Sequence, residues 1–240
     1  MTHFSDGLSV GGAITNYYIG STGGFGVDIN PSITYDIVPL TKNATALAIS
    51  QSSSGALALT AGTSVVAQVV NGLTRYVLDI PRGVTITSAG NDSGITFLIS
   101  GFDTYGKAMS QKLTGANAGV ATTTKAFAAV SSIVASGATA STVTAGTADL
   151  FGMPVQVIDK AYIGTLGWNN TIGYDSGTFT VADVTNPATN ITGDVRGTYA
   201  PSSASNGVKR LVTEILLSAT QTNMAGGVAA ATAILGVTQA

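Results

Sequence analysis

Along much of this 240-residue chain, apolar and polar side chains alternate with a period of two. That is the repeat of a strand with one face buried. In Arg75–Ile80, Tyr76, Leu78 and Ile80 share one face and Arg75, Val77 and Asp79 the other. Val84 and Ile86 alternate with Thr85 and Thr87 in Gly83–Ser88, and Ile95, Phe97 and Ile99 align in Ile95–Ser100. Near the C-terminus Leu211, Thr213, Ile215 and Leu217 oppose Val212, Glu214 and Leu216. Further strands are predicted at Thr45–Ser50, Ala56–Ala61, Val65–Val70, Phe127–Ala135, Thr142–Ala145, Pro154–Ile158, Thr178–Val181 and Asp194–Tyr199. Turn signals separate them: Asn71-Gly72, Asp103-Thr104-Tyr105-Gly106, Asp175-Ser176-Gly177 and Ser205-Asn206-Gly207.

Short strands at regular spacing with polar turns predict an all-β fold, an antiparallel β-sandwich of jelly-roll type. Its body is expected over residues 41–222. Residues 1–40 lack sustained alternation yet hold Tyr17, Tyr18, Phe25 and Tyr35. They read as an extended N-terminal arm whose aromatics need a surface to lie on, or as a loose terminus. Residues 223–240 are rich in Ala and Gly. They read as a short helix capped by Asn223, or as an irregular docked tail.

Composition then narrows the function. Only 22 residues are charged: 11 Asp, one Glu (Glu214), six Lys and four Arg. A soluble domain usually has roughly a quarter of its residues charged. There is one His, His3, and no Cys. A Ser–His–Asp or Cys–His mechanism therefore has no imidazole or thiol in a rigid setting. Zinc sites lack their nitrogen and sulfur ligands, and no phosphate-cradling glycine motif occurs. With a net charge of −2 and scattered cations, no polyanion is expected as a partner. No apolar run approaches the ~20 residues of a membrane-spanning helix, and the N-terminus does not read as a signal peptide. The chain is expected to have no enzymatic activity, cofactor, metal, membrane association, nucleic-acid partner or small-molecule substrate.

Two features remain as candidate chemistry. Paired carboxylates among the eleven Asp could serve as glycosidase acids, but most sit in turns, and Asp92, Asp103 and Asp175 each lie in a turn sequence where the carboxylate can accept local N–H bonds. Trp168 could stack on a sugar, or anchor a core or subunit interface. The persisting charges Asp194, Arg196, Lys209, Arg210 and Glu214 gather near the C-terminus. A buried Arg196 would need a carboxylate, and Asp194 stands two residues away, on the same face of a strand. With Tyr17, Tyr18, Phe25, Tyr35 and Trp168, these five are the candidate subunit-interface residues.

Two stretches carry a family resemblance. Residues 94–135 contain Gly101-Phe-Asp-Thr-Tyr-Gly106, then Met109-Ser-Gln-Lys-Leu-Thr-Gly115, then Lys125-Ala-Phe-Ala-Ala-Val-Ser-Ser-Ile133. The second is Gly193-Asp-Val-Arg-Gly-Thr-Tyr199 with Asn206-Gly207 and Arg210-Leu-Val212. Together they resemble β-rich structural proteins of tailed bacteriophages, and among these the head decoration (cement) proteins. The resemblance implies a homotrimer on the capsid exterior that bridges capsomers of the major capsid protein, and it implies no catalytic residues. A tail-tube, head-fibre or adhesin subunit is the alternative, and a carbohydrate-binding module a more distant one.

Overall fold

The alternating segments become strands in the computed structural model, which describes residues 17–19, 25–27, 32–171, 173–216, 222–223, 228–229 and 236–237. The strands are β1 (Tyr17–Ile19), β2 (Phe25–Val27), β3 (Ser32–Ile37), β4 (Ala48–Gln51), β5 (Val65–Val70) and β6 (Leu73–Ser88). There follow β7 (Thr96–Phe102), β8 (Ala108–Thr114), β9 (Val120–Thr122), β10 (Phe127–Ala135), β11 (Val143–Gly152) and β12 (Ile163–Trp168). The last five are β13 (Thr178–Thr180), β14 (Thr198–Ala200), β15 (Leu211–Leu216), β16 (Thr222–Asn223) and β17 (Val228–Ala229). Every ladder between them is antiparallel. The predicted all-β, antiparallel class is the observed one.

Ten strands form one sheet in the order β13-β14-β11-β6-β10-β7-β8, with β4 on β11 and both β5 and β9 on β6. The long β6 organises it. Its first half pairs with β5 on one edge and β10 on the other. Its second half pairs with β11 and β9. Val84, Ile86, Val143 and Ala145 from the second half share one buried cluster with Phe97, Ile99, Val130 and Ile133 from the first. The sheet therefore curls so that its two halves face each other across a common core, as in a sandwich.

The sequence pattern breaks at Pro81, yet β6 runs through it. Proline cannot donate to a ladder and is tolerated in sheets at bulges. Here the ladders on both edges slip in register at this point, between Phe127 and Ala129 on β10 and between Thr147 and Phe151 on β11. The next residue, Arg82, is fully buried. Its guanidinium pairs with Asp79 at 3.1 Å and Asp149 at 2.8 Å. It also donates to the carbonyls of Ala148 (2.8 Å) and Leu40 (3.1 Å). Asp79 accepts the Leu40 N–H, and Asp149 accepts from the backbone and hydroxyl of Ser205. One cation thus ties the bend to the segment leading in from β3 and to the loop before β15.

A second sheet, β12-β15-β3, packs over the end of β11. Ile163, Leu166, Trp168, Leu211 and Ile215 meet Phe151, Phe179 and Tyr199 in a second buried cluster. Within the expected arm 1–40, β3 is thus an edge strand in full register with β15, from Leu211↔Ile37 to Leu216↔Ser32. Backbone of β1 and β2 forms a separate pair, and the other arm residues lie outside the described ones. In the expected tail, Thr222–Asn223 pairs with Val228–Ala229 instead of starting a helix. Val237 docks in a third cluster with Ala188 and Val195.

Three predicted strands are corrected. Ala56–Ala61 makes a single bridge, Ala56↔Val134, and Pro154–Ile158 is irregular. Of Asp194–Tyr199 only the last residues belong to a strand, β14. The apolar residues in these runs are buried as predicted (Leu57, Val155, Val157 and Val195), but in extended coil.

Removing one partner of a buried ion pair leaves an uncompensated charge. Arg82→Met should therefore lower unfolding stability by about 3–5 kcal/mol, read from urea denaturation. Arg210→Met, at an exposed pair, should leave the midpoint unchanged. Adding Asp79→Asn and Asp149→Asn to Arg82→Met should recover part of the loss.

Candidate functional site

The candidate interface residues separate into interior and surface groups. Asp194 and Arg196 lie in the loop before β14, not on a strand face. Asp194 Oδ1 accepts the N–H of Arg196 (2.8 Å) and of Gly197 (3.1 Å), and Oδ2 accepts that of Ala126 (2.8 Å). Gly197 has φ +96°, the left-handed region that glycine supplies without strain. The short carboxylate thus folds back on the backbone, and the Arg196 guanidinium reaches past it to Asp103 Oδ2 at 2.9 Å. The expected Asp194–Arg196 pairing is replaced by this pair, whose two side chains are both buried.

Asp103 does what its turn sequence predicts as well. Its Oδ1 accepts the N–H groups of Tyr105 and Lys107, each at 2.8 Å. The Arg196 guanidinium carbon stands 5.6 Å from the Tyr105 ring centre. Lys125, fully buried, donates from Nζ to the Thr189 carbonyl at 2.8 Å. Burial pushes its pKa down, opposed by Asp194 and Asp183. Burial pushes that of Asp194 up, against the pull of Arg196 and three backbone N–H groups.

Trp168 is interior too. Its ring packs 5.7 Å from Phe151, centre to centre, and its Nε1–H donates to Ser203. At 1% exposure it offers no face to a sugar or to a neighbouring subunit. Tyr35 is half-buried beside Ile33 and Ile37 on the inward face of β3. Burial raises its pKa to about 12, with Arg196 lowering and Asp79 raising it. Trp168, Asp194 and Arg196 therefore hold one chain together, and Tyr35 turns towards the same interior.

Lys209, Arg210 and Glu214 are the surface group. Arg210 pairs with Asp36 beside the β15–β3 ladder, and this hydrogen bond holds the Asp36 carboxyl below its ordinary range. Lys209 Nζ donates to Ser203 Oγ and the Ala204 carbonyl, both at 2.8 Å. Glu214 sits mid-strand on β15, opposite Thr34 of β3. The side chains of Tyr17, Tyr18 and Phe25 lie outside the described residues.

Two adjoining cavities of about 430 and 530 Å³ share Thr122 and Leu150 and form a shallow trough. Threonines and serines line it, with the carboxylates Asp183 and Asp194 at one end and Lys42 and Asp149 at the other. These carboxylates are already engaged. Asp183 accepts the N–H of Thr185 (2.9 Å) and Gly193 (2.8 Å), and Asp149 pairs with Arg82. Among the described residues no group of three or more His, Cys, Asp or Glu side chains could hold a metal.

Sequence reading missed Arg82 and the reach of two aspartates. Asp92 is fully buried and accepts the N–H of Ala140 at 2.7 Å, while neighbouring Asn91 supplies the local turn bonds to Ser93. Asp175 closes its own turn on Gly177 (3.1 Å) and also gathers Ser202 N–H (2.8 Å) and the Tyr199 hydroxyl. Burial alone would raise the Asp175 pKa, but the bonds from Ser202, Tyr199 and Gly177 outweigh it and the net direction is down. Between the lowered folded value and the ordinary 3.8, the unfolded chain binds more protons. The contribution is complete above the ordinary value and lost as pH falls through the folded one. Urea midpoints measured from pH 6 down to 2 should therefore fall less steeply in Asp175→Asn than in the wild type.

Compared with known proteins, the chain matches no family model, no curated protein and no solved structure.

Proposed function

We propose that this protein is a virion structural subunit, a decoration protein that binds the outer capsid surface as a homotrimer and cements neighbouring capsomers of the major capsid protein. The observation that carries the reading is where the two resembling stretches meet. The Gly101–Gly106 turn and the Gly193–Tyr199 loop are joined by the buried Asp103–Arg196 pair. Gly101 belongs to the same structural core: a Cβ there would stand 2.1 Å from the Ala129 carbonyl oxygen. The shared residues are thus fold-forming ones, as expected of a family whose members act through shape and contact.

The surface supports the same role. Three of the four arginines are engaged within the chain, and the exterior carries hydroxyls, methyls and scattered apolar side chains with a few exposed lysines, Lys42, Lys107, Lys112 and Lys160. Such a surface repels its neighbours weakly. Many weak contacts repeated around a closed shell add through multivalency.

Capsids assembled with the protein should resist heat or pressure better than capsids lacking it, and equal resistance would overturn the proposal. In solution the protein should show three times the 23.9 kDa mass of one chain. Rings or open stacks would favour the tail-tube alternative.

A further inference from the structure

The β5–β6 hairpin carries a surface that the fold leaves uncovered. Its turn, Asn71-Gly72, has φ +53° and +78°, the paired positive values of a tight two-residue hairpin. In β5 only Val65 is buried. Val66 is 60% exposed, Val69 72%, Val70 36% and, across the turn, Leu73 44%. β5 is also an edge: among the described strands it pairs with β6 alone.

Proteins ordinarily protect such an edge with lysine, proline, a bulge or a covering loop. The sequence Val65-Val-Ala-Gln-Val-Val70 has none of the first two, and its ladder with β6 runs without a register shift. No charged residue occurs between Lys42 and Arg75. The nearest cation, Arg75 opposite Gln68, is stacked on Phe102, so the edge suits a partner that is neutral, apolar and able to offer an unpaired strand edge. The same strand of a second copy meets all three conditions.

The backbone fixes how two copies would meet. Val70 and Leu73 flank the two-residue turn and bond to each other, so the even-numbered residues of β5 bond inward to β6. The N–H and C=O groups of Ala67 and Val69 then point away from the sheet. Antiparallel pairing of Ala67 with Val69 of the second copy, and the reverse, satisfies these groups about a two-fold axis at Gln68. Val66 then lies opposite the second copy's Val70, and the exposed valines of both chains cover one another.

We infer that β5 is a self-association edge, pairing antiparallel with β5 of a second copy about Gln68. A six-residue strand spans ~20 Å, and its edge covers less than the ~800 Å² per partner of a standard stable interface. The contact is weak singly and concentration-dependent. It goes beyond the proposed function, because a two-fold contact cannot close a trimer; it joins one assembly to the next.

The chain has no cysteine, so Gln68→Cys supplies a unique thiol. Directly opposite residues at a non-hydrogen-bonded position lie ~4.5 Å apart at Cα, within disulfide reach. Under mild oxidation this variant should give a dimer band on a non-reducing gel, while Thr74→Cys, exposed on the neighbouring strand, should not. Val69→Lys should weaken association in sedimentation equilibrium about tenfold or more, with an unchanged circular dichroism spectrum. Equal cross-linking of the two cysteine variants, or Val69→Lys association equal to wild type, overturns the inference. A trimer that persists through either result leaves the proposed function standing, so the two readings fail separately.

Discussion

The structure turns on a single cation at a bend. One sheet serves as both layers of the core only if β6 changes direction midway, and a strand that bends loses ladder bonds on both edges. Pro81 places the missing donor where the register already slips. Arg82 then supplies donors to backbone carbonyls at the break, from Ala148 and Leu40. Its planar fork engages Asp79 and Asp149 from different directions, which a lysine, with its single compact charge, could not reproduce. Because Asp149 also holds Ser205 and Asp79 also holds Leu40, the second sheet is docked at both its incoming and outgoing ends through this point.

The other cations show why so few charges suffice. Arg196 locks the 103–107 turn to the loop before β14, and Lys125 caps the Thr189 carbonyl. Arg75 lies 3.6 Å over the Phe102 ring, a cation–π contact on the β6–β10–β7 side of the sheet. Burying charge is costly unless it is paired, and these cations have carboxylates, carbonyls or a ring as partners. Charge works here as an internal fastener. Outside, the charge that remains is sparse and includes Lys42, Lys107, Lys112 and Lys160 and the Arg210–Asp36 pair.

Much of the fold was legible in the alternation. Gly83–Ser88 and Leu211–Leu216 became strands where the period of two predicted them, because a half-buried strand imposes that period directly. Apolar runs without alternation misled. Leu57, Val155 and Val157 are buried as irregular chain, and burial alone does not distinguish a strand from extended coil. The ion pairs were the least legible. Asp103 and Arg196 are 93 residues apart, and only the three-dimensional path of the chain brings them together. The local partner, Asp194, looked sufficient because spacing along a strand was assumed, whereas the Gly197 turn removes the strand. Arg82 carried a weak signal: a carboxylate three residues earlier, with a proline between.

This division bears on where function can lie. Residues with conspicuous chemistry in the sequence, such as Trp168, Asp194 and Arg196, proved to be interior fasteners of one chain. The surface with the least conspicuous chemistry, the valines and alanine of β5, combines an open strand edge with exposed apolar side chains. The buried guanidiniums and carboxylates act within the chain, and strand edges, hydroxyls and methyls are left for contacts that bind weakly one at a time. Such surfaces become strong only by repetition, which is why the proposed reading sets this chain in a regular array of copies.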